Sequence, residues 1–266
     1  MHIAAYSLAT NLSMQSSAIV EVNYRMLSNN LPPADLVIKF CQFKNIHLLR
    51  LYEPHSNALD SLRRSNIKVA LGMKNDIVTS IAMGVDVAME WVNTNVAPYA
   101  NEVDIEWIIV GNEMVSGPSA DLIPQAMNNI LSGLNSARLS NIKVSTVVNV
   151  NVLGVSSPPS AASFSAEANK SMQGIVTWLA GTKNPLFINV FPYLALASRP
   201  KEIPLDYALF NAQQSVIDGT YKYYSLFEAM VDAFYVALGN IGGGSVTLVV
   251  FETGWPTAGN DPYTSK

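Results

Sequence analysis

Two short stretches end an apolar run in a glutamate: "WIIVGNE" delivers Glu113 and "TLVVFE" delivers Glu252. A carboxylate left unpaired in an apolar setting is costly. A strand that carries one to its end therefore has a use for it. Two such carboxylates facing one cleft are what glycoside hydrolysis requires. One must stay protonated, to give its proton to the leaving oxygen. The other must stay ionised, to attack the anomeric carbon, so their surroundings must hold the two pKa values apart. Spacing alone does not assign the two roles. Asn112 stands beside Glu113, where its amide would reach a sugar 2-hydroxyl. Thr-Gly-Trp-Pro follows Glu252, so Trp255 would offer a ring face to a sugar, or would be core, on a turn stiffened by Pro256. One strand-end glutamate alone would be read as a surface or ion-paired group. The two together, each in such a setting, point to chemistry.

The elements that must position these residues alternate in type. Short apolar runs read as strands: 18–24, 46–52, 67–73, 105–113, 142–149, 185–193 and 245–252. Helical patterns lie between them at 34–45, 57–66, 81–100, 122–139, 168–182 and 224–242. Apolar strands alternating with amphipathic helices imply βα units and a parallel sheet. A doubly wound sheet would bring a glycine-rich phosphate loop, and neither G-x-G-x-x-G nor a P-loop motif is present. The segment "GNIGGGS" (239–245) reads as a plain loop. The expected fold is therefore α/β, a (β/α)₈ TIM barrel, with catalytic groups at the C-terminal ends of the strands. About seven units are visible. One further unit takes roughly 30 residues, and fourteen follow Glu252. The barrel is thus expected to be incomplete, with open edges on its first and seventh strands.

Composition narrows the function classes. The 266 residues are 49% hydrophobic and 14% charged, with a formal net charge of −4. No basic stripe is present, which argues against a nucleic-acid partner. Cys41 is the only cysteine, and the three histidines His2, His47 and His55 lack metal-binding spacing. No metal and no cofactor are expected. No apolar run is long enough to span a membrane. Residues 1–17 read as a leader or degenerate signal without Lys or Arg, and 18–266 as one catalytic barrel.

"IIVGNEM" (108–114) and "VVFETGWPTAG" (249–259) resemble the two signatures of the plant β-1,3-glucanases, glycoside hydrolase family 17. The likeness runs through "NYRMLSNNLPP", "LLRLYEP", "SNIKVALGMKND", "SPPSAASF", "NPLFINVFPY" and "LDYALF", in the family's order. The resemblance implies a barrel with a long open cleft and retaining endo-hydrolysis of internal β-1,3-glucosidic bonds, without metal or cofactor. It implies Glu113 as general acid/base and Glu252 as nucleophile. Tyr24 and Tyr193 match cleft-lining aromatic positions, and buried tyrosines of the barrel layers are the alternative. The implied partner is β-1,3-glucan, the implied form a monomer. The implied place is the cell wall, the extracellular space or the vacuole, in plant defence.

The chain departs from that pattern in four places. Glu21 and Arg25 stand where the family has glycines, and Arg25 would bridge a carboxylate or block sugar. Phe191 and Leu194 replace a Tyr and a Phe. Lys74 replaces a Pro. The eighth βα unit, which supplies further cleft residues, does not follow the Trp-Pro motif. Two alternatives to the β-1,3-glucanase reading follow. One is a catalytically impaired relative that binds β-glucan. The other is an endohydrolase of mixed-linkage β-1,3-1,4-glucan.

Overall fold

A computed structural model of the chain describes residues 21–27, 30–259 and 262–264. The expected leader, and residues 18–20 of the expected first strand, lie outside the described residues. Among those described, seven strands form one sheet: β1 (Glu21–Tyr24), β2 (Leu48–Leu51), β3 (Lys68–Gly72), β4 (Asp104–Asn112), β5 (Lys143–Asn149), β6 (Leu186–Asn189) and β7 (Leu248–Glu252). Their order in space is their order in the chain. All neighbours pair in parallel.

The strands read as continuously apolar because both of their faces are buried. Side chains alternate between faces. Leu48, Ala70, Ile109, Val147, Phe187 and Phe251, one from each of β2 to β7, form the cluster inside the sheet. Their neighbours Leu49, Val69, Ile108, Val148, Ile188 and Val250 join a larger cluster with the helices outside. Those helices are α1 (Ala34–Phe43), α2 (Ser56–Leu62), α3 (Val78–Met83), α4 (Val85–Asn95), α5 (Ile123–Ser136), α6 (Ala166–Thr182), α7 (Pro192–Ser198), α8 (Leu205–Ala208) and α9 (Leu226–Asn240). The last carries a full capping box: Ser225 accepts from the Glu228 amide, and Glu228 accepts from the Ser225 amide.

The result is a nearly closed TIM-type α/β barrel. Among the described residues, β1 and β7 are the ends of the sheet and share no ladder. A side-chain bond crosses between them, from Asn23 Nδ2 to the Phe251 carbonyl at 3.2 Å. Among the described residues, no helix is long and apolar enough to cross a membrane.

Three local expectations are revised. The helix expected over 81–100 is part of two helices that meet at Gly84, the C-cap of α3 and the N-cap of α4. The strand expected over 185–193 stops at Asn189, because Pro192 opens α7. Two small hairpins appear where loops were expected: Leu153–Val155 with Ser163–Phe164, and Val216–Asp218 with Tyr221–Tyr223. Ser160 joins these regions by donating through its amide and hydroxyl to the Asp218 carboxylate at 2.7 and 2.5 Å.

Candidate active site

At the end of β4 the ladder to β5 slips between Ile109 and Asn112. Gly111 sits there at φ +76, where a side chain would also crowd the Met114 sulfur. Glu113 follows in the left-handed region at φ +58. A non-glycine residue in this region needs its surroundings to hold it there. Two partners hold it. The Glu113 amide donates to the Val147 carbonyl at 2.9 Å. The Asn75 side chain clamps the Asn112 backbone from both sides, donating to its carbonyl at 2.9 Å and accepting from its amide at 2.8 Å. A matching slip lies on β7, between Val250 and Glu252 against β6. There Val190 donates to the Glu252 carbonyl at 2.8 Å.

The two carboxylates meet on one amide. Asn189, at the end of β6, donates through Nδ2 to Glu113 Oε1 at 2.5 Å and to Glu252 Oε1 at 3.1 Å. Laid end to end, these distances set an upper limit of about 5.6 Å between the two oxygens. Arg50, pointing inward from β2, forms the other half of the frame. Its Nη1 donates to Glu252 in an ion pair, and its Nη2 donates to Asn112 Oδ1 at 2.7 Å. The guanidinium lies between the rings of Phe251, 4.1 Å away, and Tyr52, 4.3 Å away. Burial pushes the Tyr52 phenol well above its ordinary range, with Glu252 adding to the rise and Arg50 opposing it.

Glu21 is the third carboxylate of this region and is buried in β1. Burial pushes it up to about 8, against the pull of Arg50 and with the help of Glu252.

The pair lies in an open cleft of two connected lobes. One lobe, of about 810 Å³, includes Glu113, Asn112, Asn149 and Asn189 in its wall. The other, of about 790 Å³, includes Tyr24, Tyr193, Trp255 and Pro256. Arg25, Tyr52, Phe191, Leu194 and Glu252 line both and mark where they join. Tyr193 and Trp255 pack edge to face at 5.3 Å, and the indole N–H donates to the Tyr263 carbonyl at 2.6 Å. Tyr24 lines its lobe but is 6% exposed; burial raises its phenol, and its hydroxyl has no hydrogen-bond partner among the described residues. Arg25 makes no ion pair among the described residues and instead lies 5.1 Å over the Tyr52 ring. Lys74 pairs with Glu53 at 3.1 Å.

All six residues singled out in the sequence thus border one cleft, with Asn112, Glu113 and Glu252 in direct or shared contact. Four further residues were missed: Arg50, Tyr52, Asn75 and Asn189. Arg50 had a signal, since it is a charge between leucines in an apolar strand. Asn189, likewise polar inside "LFIN", had a weaker one.

Residues 20–266 match the model for glycosyl hydrolases family 17. Lichenase-2 of Hordeum vulgare is 43% identical over 246 residues, 92% of this chain and 78% of the relative. The basic vacuolar isoform of glucan endo-1,3-beta-glucosidase from Nicotiana plumbaginifolia is 42% identical over 258 residues, 95% of this chain and 71% of the relative. A solved structure from a study of two plant beta-glucan endohydrolases with distinct substrate specificities superimposes with a TM-score of 0.89 at 42% identity, covering 92% of this chain and 80% of that one. With the barrel, the strand-end glutamates and a family match over nearly the whole length, the chain belongs to glycosyl hydrolase family 17.

Proposed function

We propose that the chain cuts internal β-1,3-glucosidic bonds with retention of configuration, using Glu252 as nucleophile and Glu113 as general acid/base. The observation that carries this reading is the sharing of Asn189 by the two carboxylates. It keeps the two oxygens that share it within at most about 5.6 Å of each other. Retaining enzymes hold the pair at roughly 5–5.5 Å, whereas inverting ones leave roughly 6.5–9.5 Å for a water.

The surroundings suit each group to its role. Glu252 has a buried guanidinium as partner, which fits the group that must attack as a carboxylate. Glu113 lies outside that ion pair, on the wall of the larger lobe, and fits the group that gives its proton to the leaving oxygen. Attack by Glu252 on the anomeric carbon forms a glycosyl-enzyme ester as Glu113 protonates the departing chain. Glu113 then takes a proton from the incoming water, which releases the sugar from Glu252. Asn112 has its carbonyl oxygen tied to Arg50. Its amide nitrogen is thereby turned to serve the sugar 2-hydroxyl. Tyr193, Trp255 and, at the lobe floor, Tyr24 are proposed to support the glucan chain.

Glu252→Ala and Glu113→Gln should each lower release of reducing sugar from laminarin by about 10³-fold, within the range general acid–base groups contribute. Turnover at the parental rate by either variant would overturn the reading.

A second reading keeps the same pair but acts on mixed-linkage β-1,3-1,4-glucan, and the likeness to Lichenase-2 favours testing it. The ratio of rates on laminarin and cereal mixed-linkage glucan separates the two. We further propose that 18–266 forms one catalytic barrel, acting as a monomer in the cell wall or vacuole. The likeness to a vacuolar isoform supports the latter place.

A further inference from the structure

Glu21 is a buried acid that the proposed reaction does not use. It lies on β1, in register with Leu48 of the interior cluster, while Asn23 of the same strand is in register with Arg50. Glu21 therefore faces the barrel interior one step below Arg50. It is 5% exposed, and its Oε1 is buried without a hydrogen-bond partner among the described residues. Arg50 has the complementary deficit: two guanidinium nitrogens are engaged by Glu252 and Asn112, and its Nε is buried without a hydrogen-bond partner among the described residues. An orphan acceptor thus sits below an orphan donor on the neighbouring strand.

The charged groups that act on Glu21 are Arg50 from β2 and Glu252 from β7. Tyr52, which follows β2, is influenced by Arg50, Glu252 and Arg25. We infer that Glu21 is a positioning residue for the proposed reaction. As a neutral acid it leaves the Arg50 guanidinium to Glu252, and as a carboxylate it competes for that guanidinium and loosens the nucleophile. The inference rests on the assignment of Glu252 as nucleophile.

Two properties make the competition effective. A guanidinium is a rigid fork, so a pull on its Nε side moves both nitrogens that hold Glu252 and Asn112. A second carboxylate charge near Glu252 also repels it, in a setting shielded from water. Burial holds Glu21 up at about 8, so the change falls on the alkaline side of neutrality.

The test uses 2,4-dinitrophenyl β-laminaribioside, whose leaving group departs without a proton, so the alkaline side does not report the general acid. The ratio of kcat/KM at pH 9 to that at pH 6 should be about tenfold higher in Glu21→Gln, which cannot ionise, than in the parent. Equal ratios would overturn the inference. Thermal unfolding supplies a readout without substrate. A carboxyl whose folded value is raised lends stability that is lost as pH rises through that value. The gain in Tm of Glu21→Gln over the parent should therefore be small at pH 5 and grow up to about pH 8. A gain that does not change with pH would mean a purely structural role and would also overturn the inference. If Glu21→Gln does not fold, Glu21→Leu takes its place in both measurements. A parent that cleaves no donor at either pH contradicts the glucanase reading itself, and that outcome is distinct from equal ratios in two active proteins.

Discussion

Arg50 carries a positive charge into the barrel interior with 1% of its surface exposed. Removing one member of a buried ion pair leaves the other uncompensated, which costs roughly 3–5 kcal/mol. Arg50 avoids that cost by meeting Glu252, Asn112 and two aromatic rings at once. Lysine keeps the charge but cannot span two acceptors with a planar fork. Arg50→Lys should therefore lower kcat on laminarin by about 10²-fold or more, the scale of losing one preorganised electrostatic group. KM should change little, because Arg50 lies behind the cleft wall rather than on it. An effect confined to KM would place Arg50 in substrate binding instead. Glu113, Glu252 and Asn112 were legible in the sequence because each ends an apolar run beside a turn. Asn189 was not, since its meaning depends on lying in register with Glu252 across the sheet. Registers between strands remote in sequence are set by packing and leave no local mark.

The elements were legible where a period could be counted. Strands buried on both faces and helices of ten or more residues have enough positions to show one. The hairpins of two and three residues per strand do not, and neither do α7 and α8. The decisive irregularities were also hidden. Slips at the ends of β4 and β7 aim the two glutamates, and nothing in "IIVGN" or "LVVFE" announces a slipped ladder. Gly111 is the exception that can be reasoned from type, because its φ of +76 suits glycine and strains other residues. A methyl group there would also meet the Met114 sulfur at 2.8 Å. Gly111→Ala should lower unfolding stability in urea by about 1–3 kcal/mol. It should lower kcat more than a surface Gly→Ala change such as Gly181→Ala, where an added methyl group would meet nothing within 4 Å. Equal stability and activity in the two variants would show that the turn does not depend on its glycine.

At the scale of the whole molecule, seven strands laid down in chain order bring β4 and β7 to the same end of one barrel, 139 residues apart at Glu113 and Glu252. The fold class followed from alternation alone, and the seam between β1 and β7 was expected as two open edges. The Asn23 bond across that seam was not foreseeable, because it depends on how far the sheet curls. The cleft likewise needed the fold: Arg25 and Leu194 are remote in sequence yet both stand where the lobes join. Through Asn189 the barrel keeps the two shared carboxylate oxygens within about 5.6 Å of each other, which suits a retaining pair. The most direct measurement is proton NMR of the newly formed reducing ends during the first minutes of laminarin hydrolysis. The β-anomer should appear first, with the α-anomer growing in only by mutarotation. Initial appearance of the α-anomer would contradict retention, since that outcome requires a water between the carboxylates and an inverting displacement.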